Sequence, residues 1–260
     1  MRVLMLGCGG SGGVPLPDGS PGGHWGNADP QNPKNRRRRV SVLVEEGERR
    51  LLIDCSPDLR EQMITAGPGR IDAVLFTHAH ADHTHGLDDL RSLAYRQGGP
   101  IPAYMDADTR ETLTVRFDYA FRSSHKAHRL YPALMDDRTI EVGQPFTAAG
   151  FEVLAFRQDH GNIHSLGFRI GGFAYSTDVV ALDATAMDSL RDLDLWIVDC
   201  LRHEPHPTHT HFANTLRWIE ALKPRRAVLT HMNQSVDYET LRAQCPPGVE
   251  PGYDGLAVEL

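Results

Sequence analysis

His78-Ala79-His80-Ala81-Asp82-His83 follows the apolar run Ala73-Val74-Leu75-Phe76, with Thr77 between them. Four metal-capable side chains within six residues, placed where a buried strand opens into a loop, point to a catalytic metal site. In an extended segment His78 and His80 project to the same side and can grip one ion through neutral imidazole nitrogens. Asp82 and His83 point elsewhere as the chain turns and can serve a second ion close by. A zinc finger is excluded, because Cys8, Cys55, Cys200 and Cys245 are far apart and form no CxxC pair.

Further ligands must come from later in the chain. Asp159-His160-Gly161 follows the strand-like Phe151-Glu152-Val153-Leu154-Ala155-Phe156. Ser176-Thr177-Asp178 follows Phe173-Ala174-Tyr175, and Thr230-His231 follows Arg226-Ala227-Val228-Leu229. Each places a metal-capable residue at the end of an apolar β-type run, from which side chains converge on a shared sheet edge. Alone, His160 or His231 reads as a hydrogen-bonded structural histidine and Asp178 as a helix N-cap. Beside the 78–83 cluster, convergence on a metal is the better reading.

HxHxDH, a lone His, an Asp after a strand and a His after another, in that order, resembles the metallo-β-lactamase fold superfamily of dinuclear hydrolases. The opening Val3-Leu4-Met5-Leu6 with Gly7-Cys8-Gly9-Gly10-Ser11-Gly12-Gly13-Val14-Pro15, the strand ending Leu52-Ile53-Asp54-Cys55, and the closing Tyr253-Asp254-Gly255 are similar to its phosphoribosyl 1,2-cyclic phosphate phosphodiesterase-like branch. The tRNA 3'-processing ribonuclease Z is a more distant likeness. The resemblance implies an α/β fold, an αβ/βα four-layer sandwich of two mixed β-sheets, over a single domain, residues 1–260. It implies two divalent transition-metal ions per chain: His78, His80 and His160 would hold one, Asp82, His83 and His231 the other, with Asp178 bridging. Ligation by imidazole and carboxylate without thiolate suits Mn²⁺ or Zn²⁺. The implied reaction is attack on phosphorus by a water activated between the ions, with Asp82 and His209 in the catalytic set. His209, 22 residues before His231, matches the position that touches the phosphoryl group or leaving oxygen. His203, His206 and His211 of the same loop read as surface or hydrogen-bonded residues.

The branch resembled carries a structural zinc on a Cys-rich loop near the N-terminus. Here that region reads Gly22-Gly23-His24-Trp25-Gly26-Asn27-Ala28-Asp29, without cysteine, and His231 is followed by Met232-Asn233-Gln234. No structural zinc is expected. Gly7-x-Gly9-x-x-Gly12 matches a dinucleotide fingerprint by letter, yet Pro15, Pro17 and Pro21 follow where a helix would have to begin. The glycines read instead as a tight turn beside the metal centre. Lys34-Asn35-Arg36-Arg37-Arg38-Arg39 reads as a solvated basic face, with a phosphate-facing rim as the functional alternative.

A formal net charge of -7 excludes a general nucleic-acid binder. No apolar segment approaches the ~20 residues of a membrane span, and four scattered cysteines fit free thiols in a reducing cytoplasm. Helices are expected near 58–65, 88–96, 106–119 (capped by Asp106 or Asp108) and 214–222, the last stopped by Pro224. Residues 120–137, with His125 and His128, read as an irregular excursion that overhangs the active site or supports a homodimer contact. The partner expected is a small phosphorylated substrate. The function expected is a phosphodiesterase on small cyclic or nucleotide-like phosphodiesters. The alternatives are ester, thioester or lactone hydrolysis on the same site, or ribonuclease Z-like cleavage; the chain has no long basic arm to clamp tRNA.

Overall fold

A computed structural model describes residues 1–122 and 132–260. Alternation with a period of two explains the layering from the first strand onward. Val3 and Met5 join one apolar core, whereas Leu4 and Leu6 between them join another. The split recurs with Val42 and Val44 against Leu43, and with Leu51 and Ile53 against Leu52. Strands apolar on both faces must be covered on both, which demands layers above and below.

In chain order the strands are β1 (Arg2–Gly7), β2 (Ser41–Glu46), β3 (Arg49–Ile53), β4 (Ala73–Leu75), β5 (Ile101–Met105), β6 (Met135–Thr139), β7 (Pro145–Ala148), β8 (Phe151–His160), β9 (Ile163–Ile170), β10 (Phe173–Ser176), β11 (Leu195–Asp199), β12 (Arg226–Thr230), β13 (Val249–Pro251) and β14 (Ala257–Glu259). The helices are α1 (Leu59–Ala66), α2 (Ala81–Thr84), α3 (Arg91–Gln97), α4 (Ala107–Arg116), α5 (Asp118–Phe121), α6 (Ala184–Ser189), α7 (Phe212–Leu222) and α8 (Tyr238–Gln244). One seven-stranded sheet runs β14-β1-β2-β3-β4-β5-β6 and the other β13-β12-β11-β10-β9-β8-β7. Both are mixed: β3 to β6 are parallel in the first and β10 to β13 in the second, with antiparallel pairs elsewhere. Leu59, Leu90, Leu113 and Phe121 cover the outer face of the first sheet; Ala186, Ile219 and Leu241 pack on the second. This is the expected four-layer αβ/βα sandwich. Among the described residues no helix is long and apolar enough to cross a membrane.

Three local expectations need correction, and one choice left open is decided. The helix expected over 106–119 breaks at Phe117, whose φ of -120° and ψ of 42° leave the helical basin as its ring meets His85. Asp106, not Asp108, caps α4 by accepting from the Thr109 amide. The excursion at 120–137 is not irregular throughout. Ala120 and Phe121 are the buried end of a helical turn, and Met135–Thr139 is an edge strand paired with β5, its period hidden by Asp136, Asp137 and Arg138. Residues 123–131, with His125 and His128, lie outside the described residues. The arginine run, finally, is no simple solvated face. Arg37 is buried and donates to the Asn233 carbonyl and Asn35 Oδ1, and Arg39 forks onto Asp58 at 2.7 and 2.8 Å.

The glycine-rich loop after β1 leads to no helix; the next regular element is a single 3-10 turn at Pro33–Asn35. Its glycines serve close backbone packing. A Cβ on Gly7 would lie 2.1 Å from the Arg39 carbonyl oxygen, and one on Gly10 would lie 3.5 Å from His231 Cε1. The loop therefore lies against a candidate ligand, as the tight-turn reading expects.

Candidate metal centre

Three metal-capable residues that follow strands occupy the left-handed backbone region: Asp54 after β3, Asp178 after β10 and His231 after β12, with φ of 62°, 54° and 59°. Such positions cost about 1–3 kcal/mol each and persist where the surroundings over-determine them. The cluster at the same ends of both sheets turns these side chains toward one point. The 78–83 loop arrives from β4, pinned to the second sheet by the Leu166 amide on the Thr77 carbonyl at 2.8 Å. His80 then starts the single turn α2, which carries Asp82 and His83 inward.

The seven expected ligands come together in two groups that share Asp178. His78, His80 and His160 meet Asp178 in one; Asp82, His83 and His231 meet it in the other, with ligand atoms within 4.8 Å of one another in each. Asp178 divides its two oxygens between them. Oδ1 lies 3.9 Å from His78 Nε2 and 3.6 Å from His160 Nε2, while Oδ2 lies 3.1 Å from His83 Nε2 and 3.3 Å from His231 Nε2. Asp82 Oδ2 closes the second group, 3.3 Å from His83 Nε2 and 3.5 Å from His231 Nε2.

The donors fit a pair of divalent ions. His78 Nε2, His83 Nε2, His231 Nε2 and Asp82 Oδ2 are among the buried side-chain atoms without a hydrogen-bond partner in the described residues, whereas most buried polar groups of folded proteins have one. Electrostatics agree. Burial drives the His78 imidazole well below its ordinary range, aided by His83, and burial also lowers His80 and His160, so the first group offers neutral nitrogen donors. Burial opposes charge on His231 as well, yet Asp178, Asp82 and Asp199 push it up to about 9. A site that attracts protons so strongly has the field of a cation site.

Outer partners fix the ring orientations. His83 Nδ1 is held by Asp54 Oδ2 at 2.7 Å, and Asp54 also accepts from the Thr77 amide and hydroxyl at 2.8 Å each. His160 Nδ1 donates to the Thr208 carbonyl at 2.7 Å, and His78 Nδ1 lies 3.0 Å from Thr77 Oγ1. Each anchor turns Nε2 to the centre. Replacing Asp54 by alanine is expected to weaken metal binding at the His83 group by roughly 10- to 100-fold while sparing the His78 group. Competition with a graded chelator reads the two affinities, and equal weakening at both would refute the anchor.

His209 belongs to neither four-ligand group. Its Nδ1 is held by the buried Asp199 Oδ2 at 2.9 Å, its Nε2 lies 3.8 Å from Asp178 Oδ1, and its ring stacks on His231 at 4.7 Å. His203 bonds Gln244 and His206 lies near Thr208, as hydrogen-bonded residues do; the backbone of His211 starts α7. Asp54 and Asp199 were missed as site residues by sequence reasoning. Both end apolar runs, Leu51-Leu52-Ile53 and Leu195-Trp196-Ile197-Val198, the signal that singled out Asp178 and His231.

Hydrogen bonds tie down the cysteine-free N-terminal loop. Asn27 Nδ2 donates to the Ser235 carbonyl, and Asp237 Oδ2 accepts from the Asp29 amide and from Asn35 Nδ2. Chelation is accordingly expected to stop hydrolysis yet leave circular dichroism and cooperative unfolding in place. Unfolding on chelation alone would mean that an ion holds the fold.

Residues 49–232 match the family model described as a beta-lactamase superfamily domain. The chain is 32% identical over 261 residues to an octanoyltransferase of Porphyromonas gingivalis, covering 98% of this chain and 51% of that protein. It is 30% identical over 139 residues to a ribonuclease Z of Bradyrhizobium diazoefficiens, covering 52% of this chain and 45% of that enzyme. The chain thus spans about half the length of these curated relatives. A crystal structure described as a new diphosphatase from the PhnP family is similar at a TM-score of 0.89 and 32% identity, over 100% of this chain and 98% of that one.

Proposed function

The chain belongs to the beta-lactamase superfamily domain family, as a metal-dependent hydrolase of the metallo-β-lactamase fold, and on that premise we propose that it is a two-metal phosphodiesterase acting on a small cyclic or nucleotide-like phosphodiester. The observation that carries this reading is the Asp199–His209 pair. It is an imidazole beside the ligand set that neither metal group needs, with its inner nitrogen anchored and its outer nitrogen 3.8 Å from Asp178. Bound Mn²⁺ or Zn²⁺ would make a water acidic enough to ionise near neutral pH and would neutralise charge on the phosphoryl oxygens. His78, His80, His160, Asp82, His83 and His231 would hold the ions, with Asp178 spanning the two. In its imidazolium form His209 would donate the Nε2 proton to the departing oxygen, while Asp199 accepts from Nδ1–H, fixing the ring's orientation and offsetting its charge. The likeness to a PhnP-family diphosphatase supports phosphoryl chemistry, since a diphosphate likewise presents a phosphorus whose leaving oxygen needs stabilising.

A second reading, acyl hydrolysis on the same centre, has one observation in its favour. The Porphyromonas gingivalis relative, matched over 98% of this chain, is named an octanoyltransferase. Metal-reconstituted protein tested against phosphodiesters, an octanoyl thioester, lactones and pre-tRNA separates the readings. Diester turnover well above all others is the expected result; thioester or lactone turnover exceeding every diester would move the assignment to the second reading.

A further inference from the structure

A cavity of about 330 Å³ lies between the glycine-rich loop and the arginine run, with Gly12, Gly13, Arg36 to Arg39 and Asp58 in its wall. Four guanidiniums meet one carboxylate there, in a chain whose net charge is -7. That carboxylate is already committed: Arg39 forks onto both Asp58 oxygens, and Oδ2 also accepts the Arg39 amide. Among the described residues no carboxylate lies at hydrogen-bond distance from the other three guanidiniums. Arg36 is exposed and its side chain makes no hydrogen bond or ion pair among those residues; it lies over Trp25, 5.1 Å from the ring centre, and Trp25 Nε1 is tied to the Gly22 carbonyl at 3.1 Å. Arg38 reaches only Thr65 Oγ1, at 3.5 Å from each terminal nitrogen. Its Nε stands 4.0 Å from Asp254 Oδ2, which accepts the Arg38 amide at 2.8 Å. Arg37 Nε is buried without a partner among the described residues.

One turn of chain separates this cavity from the metal centre. The Gly13 amide donates to the Gly10 carbonyl at 2.8 Å, closing a four-residue turn whose ends lie within about 7 Å of each other. Gly13 belongs to the cavity wall, and Gly10 sits against His231, where a Cβ would lie 3.5 Å from Cε1. The charge on Arg39, favoured chiefly by its hydrogen bonds to Asp58, is favoured by the ligand Asp82 as well. A gap of one turn is comparable with the separation of two phosphates on a single sugar ring. Guanidinium forks are planar, permanently charged and matched to phosphate oxygens. Resting on the phosphodiesterase reading above, we propose that this cavity is a subsite for a second, non-reacting phosphate of the substrate, gripped by Arg36 and Arg38. The metals would hold the phosphorus that reacts, and the arginines would hold a phosphate carried elsewhere on the alcohol that stays attached to it.

The test compares thymidine 5'-(p-nitrophenyl phosphate) with the same ester phosphorylated at the 3'-hydroxyl, using metal-loaded enzyme. Both release p-nitrophenolate from the same diester, and the ratio of their kcat/KM values isolates what the added phosphate contributes. The native protein is expected to favour the 3'-phosphorylated ester by about tenfold or more, the scale of a charge-assisted contact. Arg36 is exposed, and Arg38→Gln keeps the backbone amide that Asp254 holds, so neither substitution removes a buried group. Arg36→Gln alone is expected to lower the ratio, and Arg36→Gln with Arg38→Gln to bring it close to one. A merely structural role would slow both esters equally and leave the ratio where it was. A native ratio of one or below, or a ratio unmoved by the double substitution, overturns the inference and leaves the phosphodiesterase reading standing. Turnover of neither ester by protein with its full metal complement removes that reading, and this inference with it.

Discussion

Asp178→Ala is expected to lose metal from both groups at once and hydrolysis with it. Each oxygen of Asp178 faces a different set of imidazoles, at 3.6 to 3.9 Å on one side and 3.1 to 3.3 Å on the other, so a single substitution strips a donor from each. The variant also removes from His83 and His231 the carboxylate that contributes most to their charged forms against the opposing effect of burial. Loss of rate should exceed the roughly 10- to 100-fold that follows removal of an outer-shell partner, because a direct ligand is gone. Elemental analysis should fall from two ions per chain, with circular dichroism recorded to establish that the protein is folded. Asp178→Asn, which keeps the shape but not the charge, should bind metal weakly. Full occupancy of both positions in the alanine variant would show that Asp178 does not bridge.

His209→Ala should cost roughly 10² to 10⁴ in turnover of a diester with a poor leaving group, the usual contribution of a general acid. Bis(p-nitrophenyl) phosphate should suffer much less, because its phenolate departs without a proton. Metal content should stay at two ions, since the ligand set closes without His209. The geometry adds an expectation for its partner. Asp199→Asn should reproduce part of the loss on the poor leaving group, because the amide can no longer hold Nδ1 as the carboxylate does. Equal loss on both substrates would mean that His209 positions the phosphoryl group electrostatically. No loss on either would remove it from the mechanism, and loss of a metal ion would make it a ligand.

The candidate ligands were legible because their signal is local. Offsets within His78 to His83, and polar residues ending apolar runs at His160, Asp178 and His231, follow from the strand period and the need to seat functional groups where buried strands end. The same rule applied to every such run would also have exposed Asp54 and Asp199. Strand β6 escaped because an edge strand carries charge to deter pairing, which erases the pattern that reveals an inner strand. The arginine run misled because a guanidinium in a buried hydrogen-bond network and one in solvent are the same letter. Arg37 depends on Asn233, nearly two hundred residues away.

The sequence by itself determined the layered α/β architecture and the residues able to grip metal, since both depend on residue type and on spacings of a few positions. Only the tertiary structure decided that Asp178 turns one oxygen to each group, that Asp54 and Asp199 are the anchors of His83 and His209, and that Gly12, Arg36 and Arg38 share a cavity wall. Those relations join residues from 10 to more than 70 positions apart through sheet register and loop packing, and no local period encodes which distant side chains a folded chain will bring within 3 Å.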